Sequence, residues 1–265
     1  MVRRQPAPAA RSPWALAWAG AIAGVLTATL VFAPARWLAA GVQRLSGEQV
    51  RLVDARGSVW EGSAQLVLSG GEGSSGSVAL PGLLAWHIRP AWGGVTAQVS
   101  ADCCTRTPLQ LNAELAGLGG LHLVLADGQS QWPAGLLVGL GTPWNTVQPQ
   151  GQLVVTSQGF GAQWAEGRLS MEGRVQFDAT QMSSRLSTIA PMGSYRLTLQ
   201  GGAPTRIALA TLEGSLLLSG QGQWVGQRLH FEGEASAAPD RVEALSNLLN
   251  ILGRRDGARS IIKLG

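Results

Sequence analysis

Cys103 and Cys104, the two cysteines of the chain, are neighbours in sequence. Consecutive Cα atoms lie about 3.8 Å apart, whereas an ordinary disulfide prefers about 4.4–6.8 Å, so a bridge between them would be strained. The CxxC spacing of a redox centre is also missing. We interpret the pair as two thiols, or an occasional vicinal disulfide, without a redox role.

Other residue types that carry chemistry are scattered. His87, His122 and His230 lie in unrelated segments, so they predict no zinc site with the cysteines. Residues 71–76 match G-x-G-x-x-G, but Ser77 to Pro81 follow as an apparent strand and a proline, where dinucleotide binding needs a helix. We interpret this stretch as a flexible turn and predict no cofactor.

The carboxylates do not indicate a catalytic pair, which would need two acids converging on one cleft. Most glutamates stand singly beside glycine, a pattern typical of solvated strand ends: Glu61, Glu166, Glu172, Glu213 and Glu232. No nucleophile elbow, Walker sequence or H-E-x-x-H is present. The sequence therefore predicts no catalytic residue, no metal ligand and no enzyme activity.

The positive charge is concentrated at the amino end. The chain has 20 Lys and Arg against 16 Asp and Glu, and Arg3, Arg4 and Arg11 supply three units of the net charge of +4. The remainder is almost neutral, whereas a nucleic-acid-binding protein needs basic residues clustered on a folded face. We exclude nucleic acid as a partner.

Residues 14–35 form an uncharged apolar stretch of the length that crosses a bilayer. The preceding arginines predict, by the positive-inside rule, a cytoplasmic tail (1–13), a transmembrane helix (14–35), a juxtamembrane helix or linker (36–46) and an exported domain (47–265). Trp14, Trp18 and Trp37 would lie near the headgroups. A cleaved signal peptide ending at Ala33-Pro34-Ala35 is the alternative, but the stretch exceeds the usual 7–15 residues of an h-region.

The rest of the chain predicts one mainly antiparallel all-β domain, with a curved sheet or a sandwich-like fold. Short runs rich in Val and Leu are separated by Gly, Pro, Ser or Asp, the pattern of antiparallel strands joined by turns. We predict strands at 49–55, 63–69, 77–80, 84–89, 95–101, 108–115, 121–125, 151–157, 167–178, 194–200, 205–211, 213–219, 228–235 and 260–264.

Helices are expected at three further places. The apolar spacing of Trp37, Leu38, Val42 and Leu45 would extend the first helix to Ser46-Gly47, and a short helix is expected within 132–144. The Asp240–Glu243 stretch resembles a helix start, and the apolar positions from Val242 to Leu252 predict a short amphipathic helix that packs on the sheet.

Two further patterns concern packing. Trp60-Glu61-Gly62-Ser63 and Leu212-Glu213-Gly214-Ser215 are each followed by an apolar run and Ser-Gly, which predicts two hairpins of similar geometry. The chain has ten Trp but only four Phe and one Tyr. We expect most of the tryptophans to fill the core or the gaps between strands, and a minority to form an exposed platform for a partner.

Four stretches together resemble the type II secretion system protein N family, also called general secretion pathway protein N. They are GLGTPWNTVQP (139–149), SSRLSTIAPMGSYRL (183–197), TLEGSLLLSG (211–220) and LLNILGRR (248–255). The likeness also includes the N-terminal apolar segment and Gly57 to Gly62. Met192 stands where we expect Leu, which conserves volume.

The resemblance implies an inner-membrane protein of a Gram-negative bacterium with a β-rich periplasmic domain. It also implies a non-enzymatic role, through contacts with other type II secretion subunits, in moving folded proteins from the periplasm across the outer membrane. Sheet edges, exposed Trp or the terminal arginines Arg254, Arg255 and Arg259 would make these contacts.

Two other classes remain open. A periplasmic lipid-handling or envelope-maintenance protein would use an apolar groove on a curved sheet for acyl chains. A hydrolase would need a nucleophile, base or metal set that we do not find in the sequence.

Overall fold

The computed structural model describes residues 14–71, 76–116, 119–165, 167–226 and 228–265. Four α-helices and one 3₁₀ helix accompany the strands: α1 (Trp14–Val31), α2 (Ala35–Leu45), the 3₁₀ helix (Ala134–Leu140), α3 (Trp144–Val147) and α4 (Val242–Leu252). The predicted turn at 71–76 lies mostly outside the described residues, but the expected strand does follow it.

Sixteen strands form one curved antiparallel sheet. In chain order they are β1 (Val50–Gly57), β2 (Glu61–Ser69), β3 (Ser77–Ala79), β4 (Leu84–Ala91), β5 (Gly94–Ala101), β6 (Leu109–Ala116), β7 (Gly120–Leu125), β8 (Gly128–Pro133), β9 (Pro149–Ala165), β10 (Arg168–Ser184), β11 (Gly193–Gln200), β12 (Arg206–Gly214), β13 (Leu216–Val225), β14 (Arg228–Ala237), β15 (Arg254–Asp256) and β16 (Arg259–Leu264). The predicted all-β class is confirmed, in the form of one curved sheet.

Neighbours along the chain are mostly neighbours in the sheet. The order is β1-β2-β4-β5-β6-β7-β9-β10-β11-β12-β13-β14-β16-β15, with β3 paired to β2 and β8 to β9. This arrangement follows from short connections, which favour pairing of consecutive antiparallel strands.

The two longest strands, β9 and β10, form a central hairpin with 17 residues in each strand. On one side β9 pairs first with β8 and then with β7, so it joins two shorter strands end to end. Gly159 and Gly173 both adopt positive φ where the register shifts. A Cβ on Gly173 would collide with the carbonyl of Gly159, which explains why glycine occupies this bulge.

One face of the sheet is apolar and the other is polar. On β14, Phe231 and Ala235 are buried, whereas His230 and Glu232 are exposed, as the alternation of a half-buried strand predicts. Helical elements cover parts of the apolar face. Helix α2 packs near Ala64 and Trp86, the 3₁₀ helix near Leu80 and Ala101, and α4 near Tyr195 and Ala235.

The expected helix at the carboxyl end is present, and its apolar stripe is buried. Leu245, Leu248 and Leu249 are at most 1% exposed and pack against the sheet. Met192 is buried in the same cluster, where a flexible side chain of leucine-like volume fits.

Two expected helices are present, each with a difference. Residues Ala35–Leu45 are helical as expected, but they form the separate helix α2, because α1 ends at Val31 and Pro34 lies at the N-cap of α2. The short helix expected within 132–144 is present as the 3₁₀ helix Ala134–Leu140, which follows the end of β8. Nowhere in the described part of the chain is a helix both long enough and apolar enough to cross a membrane.

The two similar stretches do not form similar hairpins. Glu61 to Ser69 is one continuous strand, whereas β12 ends at Gly214 and β13 begins at Leu216, with Ser215 between them. The backbone N–H groups of Ser215 and Leu216 both donate to the carbonyl of Met192, which turns the chain.

Candidate interaction surface

The residues that could carry chemistry do not assemble into a reactive centre. His87 Nδ1 lies 3.8 Å from Glu61 Oε2, and His122 Nε2 lies 3.7 Å from Glu172 Oε1, but these two pairs are at separate places on the polar face. Among the described residues, no three side chains of His, Cys, Asp or Glu are placed to hold a metal ion.

The two cysteines are bonded to each other in a vicinal disulfide between β5 and β6. Cys104 is buried with Leu80, Ala101 and Leu136, whereas Cys103 is exposed. The pair therefore lies at the edge of a core cluster, which agrees with a packing role for Cys104.

The glutamate positions agree only in part with the expectation. Glu61 begins β2 and Glu213 lies near the end of β12, but Glu172 and Glu232 are inside strands on the polar face. All four are exposed, because alternation directs them to solvent even within a strand. Glu166 lies outside the described residues.

The polar face carries an ion pair between neighbouring strands. Arg196 donates from Nε to Asp178 Oδ1 at 2.7 Å and from a terminal nitrogen to Oδ2 at 2.9 Å. This bidentate hydrogen bonding by Arg196, with a further bond from Gln176, lowers the pKa of Asp178 below its usual value, while partial burial opposes the shift. The pair joins β10 to β11 and faces solvent, so we assign it a structural role.

On the apolar face, Tyr195 is buried in the cluster under α4. Burial raises the pKa of its hydroxyl, because the charged form is poorly solvated there. Its oxygen has no hydrogen-bond partner among the residues that the structure describes. The phenol is therefore neutral and acts as a packing group.

The prediction that most of the tryptophans fill the core or the gaps between strands is wrong. All ten are described, but only Trp86 is buried, at 4% exposure. Six are exposed: Trp14, Trp18, Trp37, Trp92, Trp144 and Trp164. The sequence does not reveal this distribution, because it depends on which parts of the sheet the helices cover.

We use the term "rim" for the edge of the sheet formed by the turns β1–β2, β4–β5, β6–β7, β9–β10, β11–β12 and β13–β14. Next to these turns, four apolar side chains form what we call the apolar row: Leu115, Leu121, Trp164 and Leu169. Each lies directly opposite the next on the neighbouring strand. Their exposed fractions are 74%, 39%, 46% and 44%.

The apolar row continues inward into a region that no helical element covers. Leu123, Phe160, Met171, Phe177 and Leu197 are on the same face, partly exposed, and outside the three buried clusters. A contiguous exposed apolar area of this kind marks an interaction site in a folded protein. We therefore take this uncovered face and the apolar row as one candidate surface.

The terminal arginines form a second candidate surface at the carboxyl edge of the sheet. Arg254 and Arg255 lie on the outermost strand, β15, and Arg259 begins β16. Arg259 lies 3.4 Å from Glu234, while Arg254 is exposed. Arg255 is half-buried, with one terminal nitrogen buried, so Arg254 is the exposed arginine of this edge strand. An edge strand with an exposed guanidinium group suits a protein partner with an acidic strand or loop.

Comparison with known proteins identifies the family. Residues 48–262 match the family described as type II secretion system (T2SS), protein N. This matched region includes both candidate surfaces. No curated protein and no solved structure matches the chain. The matched region contains the whole sheet except Lys263 and Leu264 at the end of β16, and the earlier resemblance is confirmed: the chain belongs to the type II secretion system protein N family.

Proposed function

We propose that this protein is a non-enzymatic inner-membrane component of the type II secretion system that acts through contacts with other subunits. Family membership implies association with this apparatus and with the cell envelope. The observation that carries the interaction role is the uncovered apolar face with the apolar row, an exposed apolar area that no helical element of the described residues covers. The dispersed histidines and carboxylates support a non-enzymatic role.

The proposed topology places residues 1–13 in the cytoplasm, 14–35 in the inner membrane and the β domain in the periplasm. It is supported by the absence of charge from Trp14 to Ala35 and by the three arginines before this segment. Apolar side chains along α1 are exposed, including Ile22, Val25, Leu26 and Leu30, as an anchor in lipid would require.

Deletion of the gene tests the role in secretion. We expect folded cargo to accumulate in the periplasm, and the wild-type gene supplied in trans to restore secretion. Normal secretion in the deletion strain would contradict the proposal. A reporter enzyme fused after Gly265 tests the topology separately. The proposed topology places this reporter in the periplasm, and a reporter active only in the cytosol would contradict it. Amino-terminal sequencing of the mature protein would detect cleavage near Arg36.

Contact with another subunit can be tested at the carboxyl edge. A photo-crosslinking amino acid at Arg254 should capture a secretion subunit in cells, because this side chain lies on the outermost strand. The matched control is Gln221, which is exposed on the polar face in the interior of the sheet. Equal capture at both positions would argue against an edge-specific contact.

A second candidate function is lipid handling, which the uncovered apolar face favours. Acyl chains could lie along Leu123, Phe160 and Leu197, which the helices leave partly exposed. Mass spectrometry of the purified protein tests this function. Bound lipid that is lost in a Phe160→Asp variant, but kept in a Gln163→Asp variant on the polar face, would support it. Absence of lipid from both the purified protein and the Gln163→Asp variant would contradict the lipid-handling function.

A further inference from the structure

Helix α1 is joined to the sheet at the rim that carries the apolar row. The backbone N–H of Val59 donates to the carbonyl of Ala33 at 2.8 Å, and Trp60 Nε1 donates to the carbonyl of Leu30 at 2.8 Å. Pro34 also pairs with Ser58 in an isolated bridge. The end of α1 is therefore attached to the β1–β2 turn, which belongs to the rim.

Many of the exposed apolar side chains of the sheet lie at this same edge, although Leu83, Leu212 and Leu217 are exposed at the opposite edge. Trp92, in the β4–β5 turn, is 100% exposed, and the apolar row lies at the next turns along the rim. Adjacent strands are about 4.8 Å apart, so the path from β2 to β10 along the rim is about 30 Å. A bilayer surface that follows the rim from the α1 junction would therefore reach all of these side chains within about 30 Å of the anchor.

Charge at the rim has the sign that suits anionic headgroups. Five arginines lie within three positions of the rim turns: Arg56, Arg89, Arg168, Arg206 and Arg228. Only three glutamates are as near to these turns in sequence: Glu61, Glu114 and Glu166. Arginine beside exposed Trp and Leu is the combination that favours the lipid interface, where rings sit at headgroup depth and cations attract phosphate.

We propose that the rim rests on the surface of the bilayer that anchors the protein, with Trp92 and the apolar row in contact with lipid. This inference depends on the proposed membrane anchor. It assigns the exposed rim to a lipid surface, while the arginines of the carboxyl edge remain available to a protein partner. Because the apolar row lies on the uncovered apolar face, the part of this face nearest the rim would then lie next to the membrane.

Site-directed fluorescence of the full chain in lipid vesicles tests the contact. Single cysteines replacing Trp92 or Leu115 would carry an environment-sensitive dye, in vesicles of phosphatidylethanolamine and phosphatidylglycerol. Val25→Cys in α1 reports anchor insertion. Ala258→Cys, at the exposed turn between β15 and β16 away from the rim, is the matched control. Because Trp92 and Leu115 are largely exposed, replacing them should not impair folding.

We expect dyes at positions 25, 92 and 115 to shift to shorter wavelength and to be quenched by nitroxide-labelled lipid, with no change at 258. Replacing phosphatidylglycerol by phosphatidylcholine should reduce quenching at 92 and 115, but not at 25. Quenching at 25 alone would overturn the rim contact and leave the anchor intact, whereas loss of quenching at 25 would overturn the anchor itself. A dye at 92 or 115 that is shielded from aqueous iodide but not quenched by lipid would indicate a second copy instead, and would also overturn the proposal.

Discussion

Trp60 donates a hydrogen bond from its indole nitrogen to the backbone carbonyl of Leu30, across a 2.8 Å distance that links the sheet to the last turn of α1. Carbonyls at the end of a helix lack partners within the helix. The bond therefore satisfies one such group, and it also restricts the angle between α1 and the rim.

Replacement of Trp60 by Phe should loosen this junction without unfolding the domain, since a smaller aromatic ring remains in place of the indole and the N–H donor is removed. Distances between spin labels at Thr29 and Gln98, measured by pulsed electron resonance in lipid, should become more widely distributed. Trp92→Phe is the control, because Trp92 has no contact with α1. Identical distributions in all three proteins would show that Trp60 does not restrict the helix.

The pair formed by Asp178 and Arg196 predicts a dependence of stability on pH. The folded-state pKa of Asp178 is lowered, so its stabilising effect is present above the ordinary value of 3.8 and is lost as the pH falls through the folded value. Asp178→Asn should lower the melting temperature at pH 7, and the difference from wild type should shrink below pH 3.8. The loss should be much smaller than that of a core substitution, since the arginine is accessible to solvent.

Arg174→Ala is the matched control for this pair. Arg174 is on the same strand as Asp178, but its Nε donates to the neutral side chain of Gln200. Its replacement should leave the pH dependence unchanged. A difference between Asp178→Asn and wild type that is constant from pH 7 to pH 3 would contradict the assignment.

Leu248 tests how much α4 contributes to the fold. It is 1% exposed and packed in the cluster with Tyr195 and Ala235. Leu248→Ala should cost about 3 kcal/mol in the free energy of unfolding, through lost burial and a residual cavity. Ile251→Ala removes a side chain that is 40% exposed on the same helix, and should cost less than about 1 kcal/mol. Denaturant titration in detergent measures both, and equal losses would show that α4 does not pack as described.

Replacement of Gly193 tests how closely β11 approaches β12 at this position. A Cβ there would lie 2.5 Å from the carbonyl oxygen of Glu213 and 2.8 Å from the hydroxyl oxygen of Tyr195. Gly193→Ala should therefore destabilise the domain by about 1–3 kcal/mol, the usual cost of overpacking. Gly135→Ala, where a Cβ meets nothing within 4 Å, should be neutral or slightly stabilising. Thermal unfolding would show the contrast, and a neutral Gly193→Ala would contradict it.

Local patterns predicted most of the strands, because alternation and turn residues act over a few positions. They did not predict β8, whose centre Gln129-Ser130-Gln131 is polar and whose pairing depends on the distant strand β9. They also underestimated β9 and β10. The predicted strand 151–157 stops before Gly159, which forms a bulge within β9, and the predicted strand 167–178 stops before the second irregularity of β10, near Gln181.

The candidate surface was harder to predict for a related reason. Trp86 and Trp164 both occur in strands, yet Trp86 is buried near α2 while Trp164 is exposed in the apolar row. Their difference depends on where helices from remote segments pack. Sequence alone indicated that some tryptophans could form a platform, but not which ones.

The central hairpin of β9 and β10 makes the sheet mechanically continuous from the α1 junction to the arginines of β15. Each of its strands is hydrogen-bonded to its neighbours on both sides, so within the described residues the ladder of strands runs unbroken from β1 to β15. A force applied at the carboxyl edge would therefore reach the attachment point of α1 through backbone hydrogen bonds rather than through a flexible linker.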